Sequence, residues 1–511
     1  MVDTTKMQPI TVQVVEDIAG ESSPILPTTA FGEIQVAEPT PIVQCQFPYN
    51  INTDIIEKRE NNAGTITQSQ SMAVIQSGAS NNSAAHMLSR VPLKYGAGQG
   101  LEVRLSALFT PGVSGSVQIA GIGEVGDGLF IGFNGFDFAI DRREQGIPEI
   151  QTLTVTSGGG AGNITITLDG VDKIVTLGVG DTTSRLVAIK IAAADFSDIG
   201  LGWTTKLNNA TVIFKAWSDG NKTGNFTFDD TGSTTAAADF AETVSGVTTI
   251  NNWVNQKDWN IDGLGHPENP KNPSGMLLDP TKLNVYIIPF QYLGSGAMVY
   301  KIESDTKGTF LPFHRINYSN KNIIPSFQNP TLPLHIMSKN LTNTSNLTVK
   351  SGSMAGFVQG KESDIGLIKG ADNSKDSVGT TQTNILSIKN NFVYQGKENR
   401  TKVRIDGINI SSEGTKLVTI RITKNTILGG TPVFTDINSN TSVIAKDTAG
   451  TTLTGGTEIL AIQLGRTDSK EIPLKEFKLD LLPGELITIS GASASASTSD
   501  IGASIHWREL F

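Results

Sequence analysis

Short stretches in which apolar and polar residues alternate recur along most of this chain, separated by glycine-containing turns. Examples are Leu101–Leu105 and Leu129–Phe133, with Gly126–Gly128 between strand-like segments. A period of two places successive side chains on opposite faces of a strand. Short strands spaced by such turns predict antiparallel sheets that pack as β-sandwiches.

The composition supports a mostly β chain with more than one core. Of the 511 residues, 53 are glycine, 38% are hydrophobic and 17% are charged. At roughly 100–200 residues per domain, this length predicts about three domains. We expect two antiparallel, jelly-roll-like β-sandwich domains, with a small α+β domain inserted in the first.

The domain boundaries follow from changes in pattern along the chain. Residues 150–250 differ from the two similar blocks that flank them, and a surface loop tolerates such an insertion. The predicted ranges are an N-terminal arm (1–45), the first part of a sandwich (46–149), the insert (150–250), the second part of that sandwich (251–360), a linker (361–382) and a C-terminal jelly-roll-like sandwich (383–511). The arm is either a disordered tail or a segment that docks on a neighbouring subunit.

Within the insert, the sequence predicts a hairpin and two helices. The hairpin turns at Asp169–Gly170, between alternating apolar residues. A helix is expected to begin at Asp181–Ser184, because an acidic or hydroxyl cap precedes apolar residues three and four apart. This apolar stripe consists of Leu186, Ile189, Ala193 and Phe196. A second, shorter helix is predicted over Ala236–Val244.

Charge and hydropathy exclude several classes of partner. The net charge is −9 and no basic stripe is present, so nucleic acid is not expected as a partner. No apolar run approaches about 18 residues, so no membrane association is expected. The single cysteine, Cys45, is interpreted as a packed thiol, and the chain as a product of a reducing cytosol.

Several motifs resemble functional sites, but each has a structural interpretation that fits better. Gly121–Gly126 matches a dinucleotide-binding pattern, yet a second strand follows where a helix is needed. Asp372, Ser374 and Asp376 match the first ligands of a calcium loop, but the required later glycine and glutamate are missing.

The remaining candidates are scattered single residues. The histidines lack metal-ligand spacing, and the acids Asp137, Asp141 and Glu144 are interpreted as a solvated face rather than a glycan-cleaving pair. The sequence therefore predicts no enzyme, and it names no catalytic, cofactor-binding or metal-binding residue and no cofactor. The histidines are His86, His266, His314, His335 and His506.

A set of segments resembles poorly characterised structural proteins of large double-stranded DNA viruses, namely tailed phages and giant viruses. The likeness covers roughly residues 30–360, and the insert separately resembles a small domain of phage tail proteins, which favours a phage. The segments that carry the first likeness are Phe47–Thr53, Leu93–Gly100, Ala120–Gly128, Gly132–Gly135, Asn272–Asp279 and Asn329–Leu334.

This resemblance implies a virion structural protein of the capsid-decoration, fibre or tail-associated type, made in the host cytoplasm. Its expected partners are other virion structural proteins and further copies of itself, as a trimer. The alternative is a receptor- or glycan-binding protein of the particle, with Trp217, Trp253 or Trp259 stacking on sugar rings. A glycan-degrading enzyme is the third possibility. At the C-terminus, Trp507 is expected in the core, while Phe511 is left open between core and interface.

Overall fold

The computed structural model describes residues 38–232, 234–362, 366–495 and 497–511. Residues 1–37, most of the predicted arm, lie outside the described residues. The last part of the arm range does not form an arm, because Thr40–Gln46 is a strand that pairs antiparallel with Ser353–Val358.

The first block of the chain forms nine strands. Its alternating apolar residues point into a core and its turns carry glycine, asparagine and aspartate, as such turns require. The strands are β1 (Thr40–Gln46), β2 (Ile56–Asn61), β3 (Thr65–Ser69), β4 (Met72–Gln76), β5 (Ala84–Ser89), β6 (Leu101–Phe109), β7 (Ser116–Gly123), β8 (Gly128–Asn134) and β9 (Asp137–Glu144).

The next segment, residues 148–244, is called the insert below. It forms a four-stranded sheet in the order β13-β14-β10-β16, a three-stranded sheet β12-β11-β15 and one α-helix, with a core of its own. Its elements are β10 (Pro148–Ser157), β11 (Gly162–Leu168), β12 (Val171–Leu177), α1 (Ser184–Ala193), β13 (Trp203–Asn208), β14 (Thr211–Asp219), β15 (Thr227–Asp230) and β16 (Ala237–Val244).

After the insert, the chain returns to the sheets of the first block. The strands are β17 (Ile250–Asn255), β18 (Asn284–Phe290), β19 (Met298–Glu303), β20 (Phe310–Ile316), β21 (Leu334–Asn340), β22 (Thr348–Ser351) and β23 (Ser353–Val358), with a short 3₁₀ helix at Gln256–Asp258.

Together, β1–β9 and β17–β23 make the first sandwich. One sheet has nine strands, seven of them in the order β20-β19-β18-β6-β22-β4-β3, with β23 beside β6 and β1 beside β23. The other sheet has seven strands, in the order β17-β9-β8-β7-β21-β5-β2. Both sheets contribute to one buried core, for example Leu105 and Tyr286 from the first and Ile131 and Ile336 from the second.

The remaining strands form the C-terminal sandwich. They are β24 (Ile368–Val378), β25 (Thr383–Asn390), β26 (Val393–Tyr394), β27 (Lys397–Glu398), β28 (Lys402–Gly414), β29 (Val418–Lys424), β30 (Ile427–Leu428), β31 (Thr435–Asp436), β32 (Ile444–Asp447), β33 (Leu453–Thr454), β34 (Thr457–Leu464), β35 (Asp468–Pro473), β36 (Asp480–Leu481), β37 (Leu486–Ser493) and β38 (Ser499–Leu510), with a 3₁₀ helix at Lys475–Phe477.

Two sheets build this second sandwich. One runs β24-β38-β28-β35, with β36 beside β28, and the other runs β31-β32-β25-β37-β29-β34. Ile405 and Trp507 from the first sheet share a core with Ile420 and Ile489 from the second. The core position predicted for Trp507 is confirmed, and so is the mostly β chain of antiparallel sheets.

The sequence prediction for the insert was wrong in two details. The predicted second helix is strand β16, in which Ala238 and Phe240 face the core while their neighbours face outward. Pairing with β10 therefore overrides the helix propensity of the alanines. Helix α1 does begin after a Thr183 cap, but it buries Val187, Ala188 and Ile191, whereas Leu186 of the predicted stripe is exposed.

The predicted linker at 361–382 contains strand β24, which pairs with β38 from Ile368 opposite Arg508 to Val378 opposite Ser499. Only Ala371 and Val378 of this strand are buried. An edge strand with a solvated face needs few apolar residues, so its polar composition was mistaken for a linker.

Candidate functional site at the junction of three units

A cluster of buried charges lies where the first sandwich, the insert and the C-terminal sandwich meet. We call it the junction cluster. It has three cations and three carboxylates, drawn from all three units: Glu57, Arg59, Glu124, Lys215, Glu398 and Arg400.

Glu124 lies at the centre of the junction cluster, directly after β7. Its carboxylate oxygens lie 3.0 Å from Arg59 Nη2 and 3.0 Å from Lys215 Nζ. Arg400 Nη2 approaches the same carboxylate at 3.4 Å. One side chain of the first sandwich thus contacts a cation from each of the three units.

Two further carboxylates complete the charge balance. Glu398 accepts from Lys215 Nζ at 2.5 Å and lies 3.3 Å from Arg400 Nη2. Glu57 accepts from Arg59 Nε at 2.7 Å. Each cation therefore faces at least one carboxylate, which offsets the large cost of taking these charges out of water.

The charges of the junction cluster shift one another's pKa values. Burial alone would raise the pKa of Glu124, but Lys215, Arg59 and Arg400 together hold that pKa well below its usual value. Burial opposes the charge of Arg400, yet Glu398 and Glu124 raise its pKa above the ordinary value. Glu124 and Arg400 therefore both stay charged at neutral pH.

Beside the junction cluster is a cavity of about 400 Å³, to which all three units contribute. Its walls combine charged groups of the cluster with the aromatic side chains Phe196, Trp203, Trp217 and Phe392. A concave site with apolar walls and a few convergent polar groups is the usual form of a small-molecule pocket.

Apolar and amide contacts reinforce the junction. Phe392 and Val393 pack against the insert at Ile150, Ile213 and Val244. Lys389 of β25 donates to Asn208 at the end of β13. On the other side, the Asn61 amide donates to the carbonyl oxygens of Ser197 at 2.7 Å and Gly200 at 3.2 Å.

The structure separates the motifs singled out in the sequence. Gly121–Gly126 spans the end of β7 and part of the turn to β8, and a strand follows it where a nucleotide site needs a helix. Asp372, Ser374 and Asp376 lie exposed along strand β24 instead of in a calcium loop. In the part of the chain that the structure describes, no group of three or more His, Cys, Asp or Glu side chains could hold a metal ion.

The glycines of the first motif are required by the sheet. Gly123 has a φ of 140°, and a Cβ there would lie 2.3 Å from the carbonyl oxygen of Asp127. A Cβ on Gly126 would lie 1.9 Å from the carbonyl oxygen of Gly146. These residues permit close backbone approach around the β7–β8 turn, as glycines in sheets often do.

Two of the three candidate acids were wrongly interpreted as part of a solvated face. Asp141 and Glu144 are buried on β9, where Asp141 Oδ2 accepts from Arg143 Nε at 2.9 Å and Glu144 pairs with Arg142. Only Asp137 is exposed. Two of the acids are thus structural ion pairs along one strand.

The tryptophans proposed to stack on sugars are mostly inside the protein. Trp259 lies in the core of the first sandwich and Trp217 is buried on β14 of the insert, while Trp253 is partly exposed. Of the histidines, only His86 and His335 lie together, with Nδ1 of the first 3.2 Å from Nε2 of the second. Cys45 is buried, and burial raises its pKa to about 11, as expected of a packed thiol.

The residues that sequence reasoning missed are those of the junction cluster. They lie on separate strands and loops, with no shared local spacing. One signal was available: Lys215 interrupts the otherwise apolar run Val212–Trp217, and a cation in a buried strand requires a partner.

The fold and the junction define a class: a mostly β protein of several sheets, whose three units are joined by buried ion pairs. The single α-helix among the described residues has ten residues, and no described helix meets the length and apolarity needed to cross a membrane.

Comparison with known proteins does not refine this class to a family. No family model and no curated protein matches the chain. Among the solved structures that match, one of the infectious bursal disease virus Gt strain is 10% identical, with 83% of this chain and 80% of that chain covered and a TM-score of 0.13. The VP2 subviral particle of the same virus is 10% identical, with 82% and 84% covered and a TM-score of 0.12.

The Faustovirus major capsid protein is 8% identical, with 93% and 92% covered and a TM-score of 0.08. These matches are viral particle and capsid proteins. Superpositions at such TM-scores do not establish a shared fold, and no residue role is taken from them.

Proposed function

We propose that this chain is a non-enzymatic structural protein of a virus particle, of the capsid-decoration, fibre or tail-associated type. It acts through contacts with further copies of itself and with other virion proteins. The observation that carries the proposal is an exposed apolar surface at one end of the C-terminal sandwich.

This surface, called the C-terminal patch, consists of Leu367, Ile368 and Phe511. Their exposed fractions are 82%, 63% and 62%. Ile368 pairs with Arg508, three residues before Phe511, so the start of β24 and the end of the chain lie at the same end of the sheet. Partly buried Tyr394 supports Phe511, with ring centroids 5.9 Å apart.

Clustered large apolar side chains on a surface mark interaction sites, and this patch continues the edge of a sheet. The charged groups, by contrast, are used within the chain. Arg59, Lys215 and Arg400 face carboxylates of the same molecule, which suits a scaffold that holds three units in a fixed arrangement.

Light scattering of the purified protein provides the test. We expect a discrete oligomer, with a trimer as the working state, and a shift to the monomer in the variant Leu367→Ser/Ile368→Ser/Phe511→Ser. A matched control changes exposed apolar residues elsewhere, at Leu277 and Phe136. A monomeric parent protein that is also absent from purified virions would contradict the proposal.

A glycan-binding role on the same particle is the second candidate. The observation that favours it is the presence of tryptophan-lined cavities beside the insert, formed by Trp203 and Trp217 in one case and by Trp217 and Trp253 in the other. Tryptophan faces stack on sugar rings.

A further inference from the structure

A second cavity lies between the insert and the outer face of the seven-stranded sheet. It measures about 270 Å³, room for about nine waters. The sheet side of its lining includes the apolar side chains Val117, Trp253 and Met337. The same face of the sheet carries Arg143, Lys339 and the histidine pair His86 and His335. We call this space the basic cavity.

Lys339 distinguishes the basic cavity from the junction. It is partly buried on β21, yet no hydrogen bond or ion pair joins its ammonium group to another described residue. Burial lowers its pKa, and Arg143 lowers it further, while Asp219 opposes this shift. A half-buried ammonium group beside an arginine is costly unless an anion compensates it.

The other charged groups of the basic cavity are already engaged. Arg143 donates from Nε to Asp141 at 2.9 Å and lies 4.7 Å above the ring of Phe130. Asp219 accepts from the backbone of Thr249 at 2.5 Å. Lys339 has the only ammonium group in this lining, and it forms no ion pair with the described groups around it.

The mouth of the basic cavity reaches solvent. Asn134, Asn251 and Leu341 line it and are exposed. Asparagine amides at a mouth can bond hydroxyl groups, and the adjacent indole of Trp253 offers a flat apolar face. The lining is thus suited to a ring that bears both hydroxyl groups and one negative charge.

We propose that the basic cavity binds a carboxylate-bearing sugar unit. Lys339, with Arg143 beside it, binds the carboxylate, Trp253 packs against the pyranose ring, and the asparagines at the mouth contact hydroxyl groups. This site is remote in sequence and unit from the C-terminal patch, so it goes beyond the assembly role and does not depend on it.

The test is calorimetric titration of the full chain with glucuronate, with glucose and acetate as the two partial ligands. Glucuronate is expected to bind, and both glucose and acetate to bind at least about tenfold more weakly, since each lacks half of the contacts. Equal binding of acetate would reduce the site to an anion site and overturn the sugar assignment. No binding of glucuronate would overturn the proposal.

Variants locate the site. Lys339→Met keeps the aliphatic stem and is expected to weaken glucuronate binding by at least about tenfold, the loss of one charge-assisted bond. Trp253→Ala is expected to weaken glucuronate and leave acetate unchanged. The control Lys282→Met removes an exposed lysine outside the cavity and should bind like the parent. Unchanged binding by Lys339→Met would overturn the assignment, and the C-terminal patch variant should still bind glucuronate.

Discussion

The junction cluster and the basic cavity are two sets of buried charges that both lie against the insert, and they differ in how the charges are compensated. In the junction cluster, Lys215 contacts two carboxylates, at 3.0 and 2.5 Å. In the basic cavity, Lys339 contacts none among the described residues. A compensated cluster is suited to holding units together, whereas an uncompensated cation is suited to receiving a ligand.

The largest effect is expected when the central anion of the junction cluster is removed. Glu124→Gln leaves Arg59, Lys215 and Arg400 with fewer carboxylates than charges. We expect a loss of about 3–5 kcal/mol in the free energy of unfolding, the usual result of removing one partner from a buried ion cluster. Urea denaturation measures it.

The matched control for this prediction is an exposed ion pair. Glu458→Gln removes the carboxylate that lies 3.3 Å from Arg421, where both side chains are about half exposed. That change should cost less than about 1 kcal/mol. If both variants lost the same free energy, the junction cluster would not couple the three units.

Much of the fold could be predicted from the sequence, but the difference between the two charged sites could not. Alternating segments such as Leu101–Leu105 predicted strands correctly because the apolar residues of one face enter the core, while polar residues occupy the other face. Strand β24 was missed because an exposed edge strand has no such contrast. The face of α1 was misassigned because Leu186 satisfies a helical spacing equally well on its exposed side.

The sites depend on contacts between residues far apart in sequence. Glu124 and Arg400 are separated by 276 positions, and each stands in an unremarkable local pattern. Asp141 and Glu144 were assigned to solvent because acids usually are, and only the tertiary structure shows the arginines that permit their burial.

A second, smaller effect is expected from lowering the pH, because two buried histidines line the basic cavity. Burial lowers the pKa of His335 to about 3, with Arg143 and Arg59 adding to the effect. Burial, then His335 and Lys339, lowers the pKa of His86 well below 6.5. The unfolded chain therefore binds these protons first as pH falls. Stability is full above about pH 6.5 and declines below it, towards the folded pKa values.

The expected slope is up to about 1.4 kcal/mol per pH unit for each histidine. Unfolding free energies measured between pH 7 and 5 test this slope, and the double variant His86→Gln/His335→Gln should flatten it. An unchanged slope in that variant would assign the acid sensitivity to other groups.

The smallest expected effect is a gain in stability at the basic cavity, and it separates the two sites most directly. Without ligand, Lys339→Met removes a buried cation that forms no ion pair with a described carboxylate and keeps its apolar stem, so it should raise the free energy of unfolding by about 1 kcal/mol. At the junction, Lys215→Met removes a cation that two carboxylates contact, and it should lower stability. Parallel urea titrations of the two variants measure both changes. A loss of stability in Lys339→Met would mean that this lysine stabilises the fold. The basic cavity would then not differ from the junction cluster in its role.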